Sequence, residues 1–495
     1  MALRHKGTSV KFPKLKGAME QRPPFVFLVV LALVLIAAII VYFYRAGLPR
    51  APLMPKEMKY MGETTLWGNF TVKRYTLPNG LTILIGRIPN SPVFAYQTWF
   101  KVGSRNEREG RSGLAHLFEH LMFKGTKNYA EGEMDRIMEE RGSDPNASTF
   151  FDWTYYRQAL PSSKENIELV ARFEADRMVN LILDQKQLDS EREVVLNERR
   201  FRIDNDVQGK MYEQLYALSF EHHHYHWPII GWAEDLKAAS LADCTDFYRA
   251  YYAPNNAVIT VIGDLNENEI LYFIEKYYAP LASQKLPEVL IPKEPEQKKE
   301  KRNVIQFETP AEKLLLGYRI PENRHRDLAS IEVLDAILFK GKSSRLYRTL
   351  VFDKGIASEI ESWVGFMIDP GLYEIQINMR APQKGMDAEK TIDAELERIQ
   401  KESVTEDELE KAKNMLDAEF FRELVSNEGK ARALGTFEVV AGDFAYLGEY
   451  RKRVRAVSVE DVLRVANRYL AQKNRTVISV LPKTRLTSPT FRSGM

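Results

Sequence analysis

The sequence predicts an α+β fold made of two similar α/β-sandwich halves behind an N-terminal transmembrane helix. Three observations carry this. At 495 residues the chain exceeds what one hydrophobic core usually holds, while 44% apolar and 28% charged residues are ordinary for a folded protein. A helix-then-strand pattern occurs twice: Asp243 matches Asp461, Tyr251 matches Tyr469, and Ala257-Val-Ile-Thr-Val matches Thr476-Val-Ile-Ser-Val at about one residue's shift, a period of about 218 residues. That period is too long for a solenoid and fits a duplicated domain. The third observation is Phe25 to Tyr44, a run of 20 uncharged and almost wholly apolar residues, long enough as a helix to cross a bilayer.

The basic residues Arg4, Lys6, Lys11, Lys14, Lys16 and Arg22 precede this run, opposed only by Glu20, so the N-terminus is expected inside and the rest of the chain across the membrane. Arg45, Arg50, Lys56 and Lys59 after the run pull the other way. In a Gram-negative bacterium this places the folded part in the periplasm, anchored in the inner membrane. A mitochondrial membrane is the alternative, since the basic N-terminus also reads as a transit segment. A cleaved signal peptide fits less well, because its apolar region is usually shorter and no convincing Ala-x-Ala follows.

The chain divides into a basic tail (1–24), the anchor (25–44), a stalk (45–69) with Pro49, Pro52 and Pro55, an N-terminal half (70–283), a linker (284–302), a C-terminal half (303–487) and a tail (488–495). In the first half, Val72 to Tyr75 and Leu81 to Ile85 alternate about the turn Pro78-Asn79-Gly80 and predict a hairpin. Phe94 to Val102 predicts a third strand, and a polar loop then leads to an apolar stretch expected as a helix, Gly113 to Phe123. After a helix over 131–141, the run Phe150 to Tyr156 reads as a strand whose aromatic residues serve the core. Helices are expected at 164–183, 187–204, 241–252 and 459–470, and strands at 254–262 and 474–481. The linker holds Pro287, Pro292, Pro295 and the charged run Lys298 to Arg302. The segment Ser330 to Leu338 takes the place of the Gly113 helix in the second half but contains no His.

A formal net charge of +2 gives no reason to expect nucleic acid as a partner. The lone Cys244 excludes an intrachain disulfide.

The chemistry gathers at His116-Leu-Phe-Glu119-His120. On a helix the two imidazoles stand four residues apart on one face, where both reach one metal ion, and Glu119 lies beside them. Two neutral nitrogen ligands and a carboxylate able to take a proton from water are what a zinc hydrolase needs, and the order is the inverse of the commoner zinc-protease motif. Glu191 and Glu198 lie two helical turns apart on nearly one face, so one can serve as a third ligand and the other can support it. His222-His-His-Tyr-His226 is expected to be an exposed loop with adventitious metal affinity.

Taken together, Leu77-Pro-Asn-Gly-Leu81, Gly113 to Phe123, Asn146-Ala-Ser-Thr149, Glu191 with Glu198, Tyr252-Ala-Pro-Asn-Asn-Ala257 and Gly263-Asp264 resemble the pitrilysin/insulinase family of zinc peptidases. The resemblance is to its bacterial processing-peptidase-like members and to the β-subunit of the mitochondrial processing peptidase. It implies one Zn2+ held by His116, His120 and Glu198, with Glu119 as general base and Glu191 supporting the metal site. It also implies that the strand carrying Asn146, Ala147 and Thr149 receives a polypeptide substrate as an added β-strand. Many members carry an Arg and, seven residues on, a Tyr in the second half; Val351 and Ser358 stand there in this chain. The resemblance therefore implies a dimer, with a homologous subunit supplying the missing pair. A non-enzymatic core subunit of a membrane-associated complex is the competing class.

Overall fold

The computed structural model describes residues 56–483. The expected membrane span at 25–44 lies outside them, and among the described residues no helix is long and apolar enough to cross a membrane.

The first sheet holds β1 (Lys59–Thr65), β2 (Thr71–Thr76), β3 (Thr82–Arg87), β4 (Val93–Phe100), β5 (Asn146–Thr149), β6 (Thr154–Pro161) and β7 (Ala257–Gly263), in the order β1-β2-β3-β7-β4-β6-β5. The second holds β8 (Lys301–Phe307), β9 (Lys313–Arg319), β10 (Ala357–Val364), β11 (Leu372–Met379) and β12 (Arg475–Pro482), in the order β10-β11-β9-β12-β8. Reversed, the second order repeats the last five strands of the first. Each set has one parallel pair, β3 with β7 and β8 with β12, followed by three antiparallel pairs.

The repeat reaches single side chains. Ser240 and Asp243 form a capping box on the helix Leu241–Tyr251, and Ser458 and Asp461 form one on Val459–Tyr469. At the far ends, the Asn256 and Asn474 amides donate to the carbonyls of Tyr251 and Tyr469 at 2.9 and 2.8 Å. Each of these pairs is 218 residues apart.

The two halves exchange helices. Val207–Ser219, from the first half, lays Met211 and Leu215 against Leu315, Ile478 and Val480 of the second sheet. Asn427–Val440, from the second half, covers Leu84, Trp99 and Val258 of the first sheet with Ala431, Leu434 and Val439. Gly435 makes this approach possible, since a Cβ there would fall 2.2 Å from the Trp99 ring.

Three elements differ from expectation. The expected stalk contains β1, which pairs antiparallel with β2; its side chains are mostly exposed, so no apolar alternation marks it. The aromatic run at 150–156 is not one strand but the turn and second arm of the β5–β6 hairpin; its aromatic residues do serve the core, Phe151 being buried in it, and Phe150, Phe151 and Trp153 also line a cavity. The His-rich segment is built into the protein. His223 is buried against Asp369 at 3.0 Å, His224 and His226 bond to the carbonyls of Arg105 and Phe220, and Tyr225 is fully buried with its hydroxyl on Asp152. Glu294 of the linker accepts the N–H groups of Glu221, His222 and His223, leaving only His222 of the four imidazoles exposed.

Candidate metal centre

The histidine helix, Leu114–Leu121, starts at Gly113, whose φ of 88° is left-handed. A Cβ at Gly113 would also meet the Ile230 carbonyl oxygen at 2.6 Å, so glycine is needed twice over. Gly113 has no side chain to cap the helix; instead the buried Glu107 accepts the N–H groups of Gly113 and Ala115 at 2.8 and 2.7 Å. Those carboxyl oxygens also face the positive end of the helix dipole, while complete burial pushes the Glu107 carboxyl well above its usual range.

Against this helix packs Gln185–Arg199, capped by Asp184, whose side chain accepts from the N–H of Gln187. Leu188, Glu191 and Val195 form its buried stripe, which carries Glu198 round to the histidines. Oε2 of Glu198 lies 3.2 Å from Nε2 of His120 and 3.7 Å from Nε2 of His116. One ligand atom from each of the three residues falls within 4.8 Å of the others. Oε2 of Glu198 is buried and has no hydrogen-bond partner among the described residues. A buried oxygen between two imidazoles needs a positive charge beside it, which a protonated His120 or a cation between the three groups supplies. Two nitrogens and one carboxylate oxygen are donors that suit zinc.

Glu191 supports the pair from behind: one oxygen is 3.6 Å from Nδ1 of His120 and the other 2.7 Å from Nζ of Lys124. Burial, helped by the neighbouring His120, lowers His116 to about 4, so it stays a neutral ligand. Burial also works against the charged form of His120, but Glu191 and Glu198 outweigh it and raise the group to about 9. Glu198 is held below the ordinary carboxylate range, chiefly by His120. Burial raises Glu119, against a smaller lowering by the Thr149 hydroxyl.

The site opens on a cavity of about 1010 Å³ lined by His116, Glu119, His120 and Glu198 and by Asn146, Ala147, Ser148 and Thr149 of β5. β5 is the last strand of its sheet, so its outer edge is unpaired among the described residues. Phe150, Phe151 and Trp153 form one wall, and Trp363, Phe366 and Glu374 of the second half another. Val351 is buried in the second half's core and the Ser358 hydroxyl donates to the Asn378 carbonyl; neither lines the cavity.

Glu107, Lys124, Arg202 and Glu374 were not singled out from the sequence. Lys124 stands one helical turn beyond His120 and Arg202 one turn beyond Glu198, spacings that could have signalled them; Glu107 and Glu374 depend on tertiary approach.

The chain matches a family model described as "Insulinase (Peptidase family M16)" over residues 82–231 and one described as "Peptidase M16 inactive domain" over 238–416. It is 34% identical over 413 residues to the zinc protease PqqE of Helicobacter pylori, covering 82% of this chain and 92% of that one. It is 24% identical to the mitochondrial-processing peptidase subunit beta of Lentinula edodes, covering 85% and 91%. The crystal structure of a protease from Helicobacter pylori is similar to this one with a TM-score of 0.77 and 32% identity, covering 87% of this chain and all of that one. With two matched domains in one repeated architecture and a relative above 30% identity along most of both chains, the protein belongs to the M16, insulinase-like, family of peptidases.

Proposed function

We propose that the protein is a zinc-dependent endopeptidase hydrolysing short or unfolded polypeptides, with His116, His120 and Glu198 as the ligands of one ion and Glu119 as the general base. The observation that carries the proposal is the orphaned Glu198 Oε2 converging with two imidazoles, beside Glu119, on the wall of a cavity large enough for a peptide. When bound, the ion supplies Lewis acidity, polarising a carbonyl and acidifying water. His116, neutral at physiological pH, holds the ion without first losing a proton, and Glu191 with Lys124 fixes the ring of His120. Burial lifts Glu119 towards the range in which a carboxyl both accepts a proton from water and returns it to the departing amine. The free edge of β5 suits an extended peptide, which would pair with the backbone at Asn146, Ala147 and Thr149.

The apolar run at 25–44 and the basic residues before it support an anchor in the bacterial inner membrane, with the peptidase on the periplasmic side. With Val351 and Ser358 away from the cavity, a homologous second subunit is proposed to help hold the substrate.

The test is hydrolysis of internally quenched peptides by the zinc-loaded protein. Glu119→Gln is expected to lose about 10²–10⁴-fold in kcat with zinc still bound. Loss of zinc from His116→Ala, His120→Ala and Glu198→Ala completes the expected pattern. If Glu119→Gln leaves the physiology of the source cell unchanged, the protein serves as a scaffold and the proposal fails.

A further inference from the structure

We infer that Arg202 is a catalytic residue that stabilises the negative charge developing on the scissile carbonyl oxygen; the inference rests on the peptidase reading above. The cavity is lined by four acidic side chains, Glu119, Glu198, Glu213 and Glu374, and among the described residues Arg202 is the only Lys or Arg that lines it. Peptide hydrolysis passes through an anionic tetrahedral species, so a side-chain cation beside the site has a defined task in addition to that of the bound ion.

The geometry suits it. Arg202 sits in a five-residue π-helical turn, Arg200–Asp204, that continues the helix of Glu198. Its Nε is 3.1 Å from Oε1 of Glu198, the oxygen that does not face the histidines. The side chain is 69% exposed. An exposed pair four residues apart on a helix is too weak to immobilise the guanidinium. The two terminal nitrogens make no hydrogen bond among the described residues, so their N–H groups are available to a substrate oxygen. Beneath this free side chain the backbone is fixed. Gly209 packs on the turn so closely that a Cβ there would fall 1.9 Å from the Arg202 carbonyl oxygen. The other acids do not compete for the cation: Glu213 is paired with Arg199 and Lys210, and Glu374 with the Tyr216 hydroxyl.

In the step itself, the water oxygen forms a bond to the carbonyl carbon and its proton passes to Glu119. The carbonyl π pair moves onto oxygen, where the Arg202 N–H groups donate to it without giving up a proton. Collapse returns that pair, the C–N bond breaks, and Glu119 delivers the proton to the leaving nitrogen.

The experiment compares Arg202→Met and Arg202→Lys with wild type in the zinc-loaded full chain. It measures kcat and KM on a quenched peptide, zinc affinity by chelator competition, and affinity for a phosphinic peptide that mimics the anionic tetrahedral species. For Arg202→Met, kcat should fall about 10²–10³-fold with KM and zinc affinity nearly unchanged, and phosphinic-peptide affinity should fall by a similar factor. Arg202→Lys should recover part of both. If zinc affinity falls instead and saturating zinc restores kcat, Arg202 merely props Glu198 and the inference is overturned, as it is if kcat is unaffected. A wild-type chain that binds zinc but cleaves no peptide overturns the peptidase reading and this inference with it.

Discussion

Lys124 Nζ lies 2.7 Å from one oxygen of Glu191, and the other oxygen of that carboxylate faces Nδ1 of His120 at 3.6 Å. The ammonium and the imidazole thus share one buried anion, which sets both the charge and the orientation of the ring. Glu191→Gln keeps the shape but removes the charge, and Lys124 still has Glu131 at 2.7 Å. Zinc affinity should weaken about 10–100-fold while the fold is retained, as read by chelator competition and circular dichroism.

Zinc uptake should be coupled to a single proton. With His120 at about 9 and His116 at about 4, the ion-free protein at pH 7 carries a protonated His120 and a neutral His116. A ligand nitrogen must be unprotonated, so binding at pH 7 should expel close to one proton, and affinity should fall about tenfold per pH unit below 9. Calorimetry in buffers of different ionisation enthalpy counts the proton. Release of none, or of two, contradicts the assignment.

Glu374 gives a pH dependence to stability. Burial raises its carboxyl to about 8, partly opposed by the Tyr216 hydroxyl that donates to it at 2.6 Å. Between the ordinary carboxylate range and pH 8 the folded chain holds a proton that the unfolded chain has lost. Stability therefore falls as pH rises through this window and levels off above it. Glu374→Gln should have a higher Tm than wild type at pH 8, with the difference shrinking towards pH 4; an equal gain at every pH would contradict this.

Gly435 is expected to tolerate no side chain. Its Cβ would strike the fully buried Trp99, which is stacked on Tyr155 with ring centroids 4.3 Å apart. Gly435→Ala should cost about 1–3 kcal/mol despite the better helix propensity of alanine. A urea midpoint followed by tryptophan fluorescence measures it.

Local signals were legible in the sequence where they coincide with tertiary demands. The spacing of His116, Glu119 and His120 already places three groups on one helix, and Ser240 with Asp243 marks a helix start without help from packing. β1 was not legible because an edge strand held by backbone pairing needs no apolar pattern, and three prolines nearby pointed to a stalk. The aromatic run misled because β-propensity does not reveal where a hairpin turns. His223 looked like a surface residue because its buried partner, Asp369, is 146 positions away. Glu374 gains meaning only from the cavity that brings it near the histidines, whereas Arg202 is tied to Glu198 by a local spacing of four residues.

The exchange of helices between the sheets bears on how such a chain could have arisen. Severed at the linker, each fragment would carry a helix with no sheet beneath it and a sheet with part of its apolar face bare. Two identical ancestral fragments could have met that need only by trading the helix with each other, as domain-swapped dimers do. The fused gene product reads as such a dimer made permanent. In such an arrangement the second half needs no histidines of its own to lend the first its covering helix and a wall of the cleft.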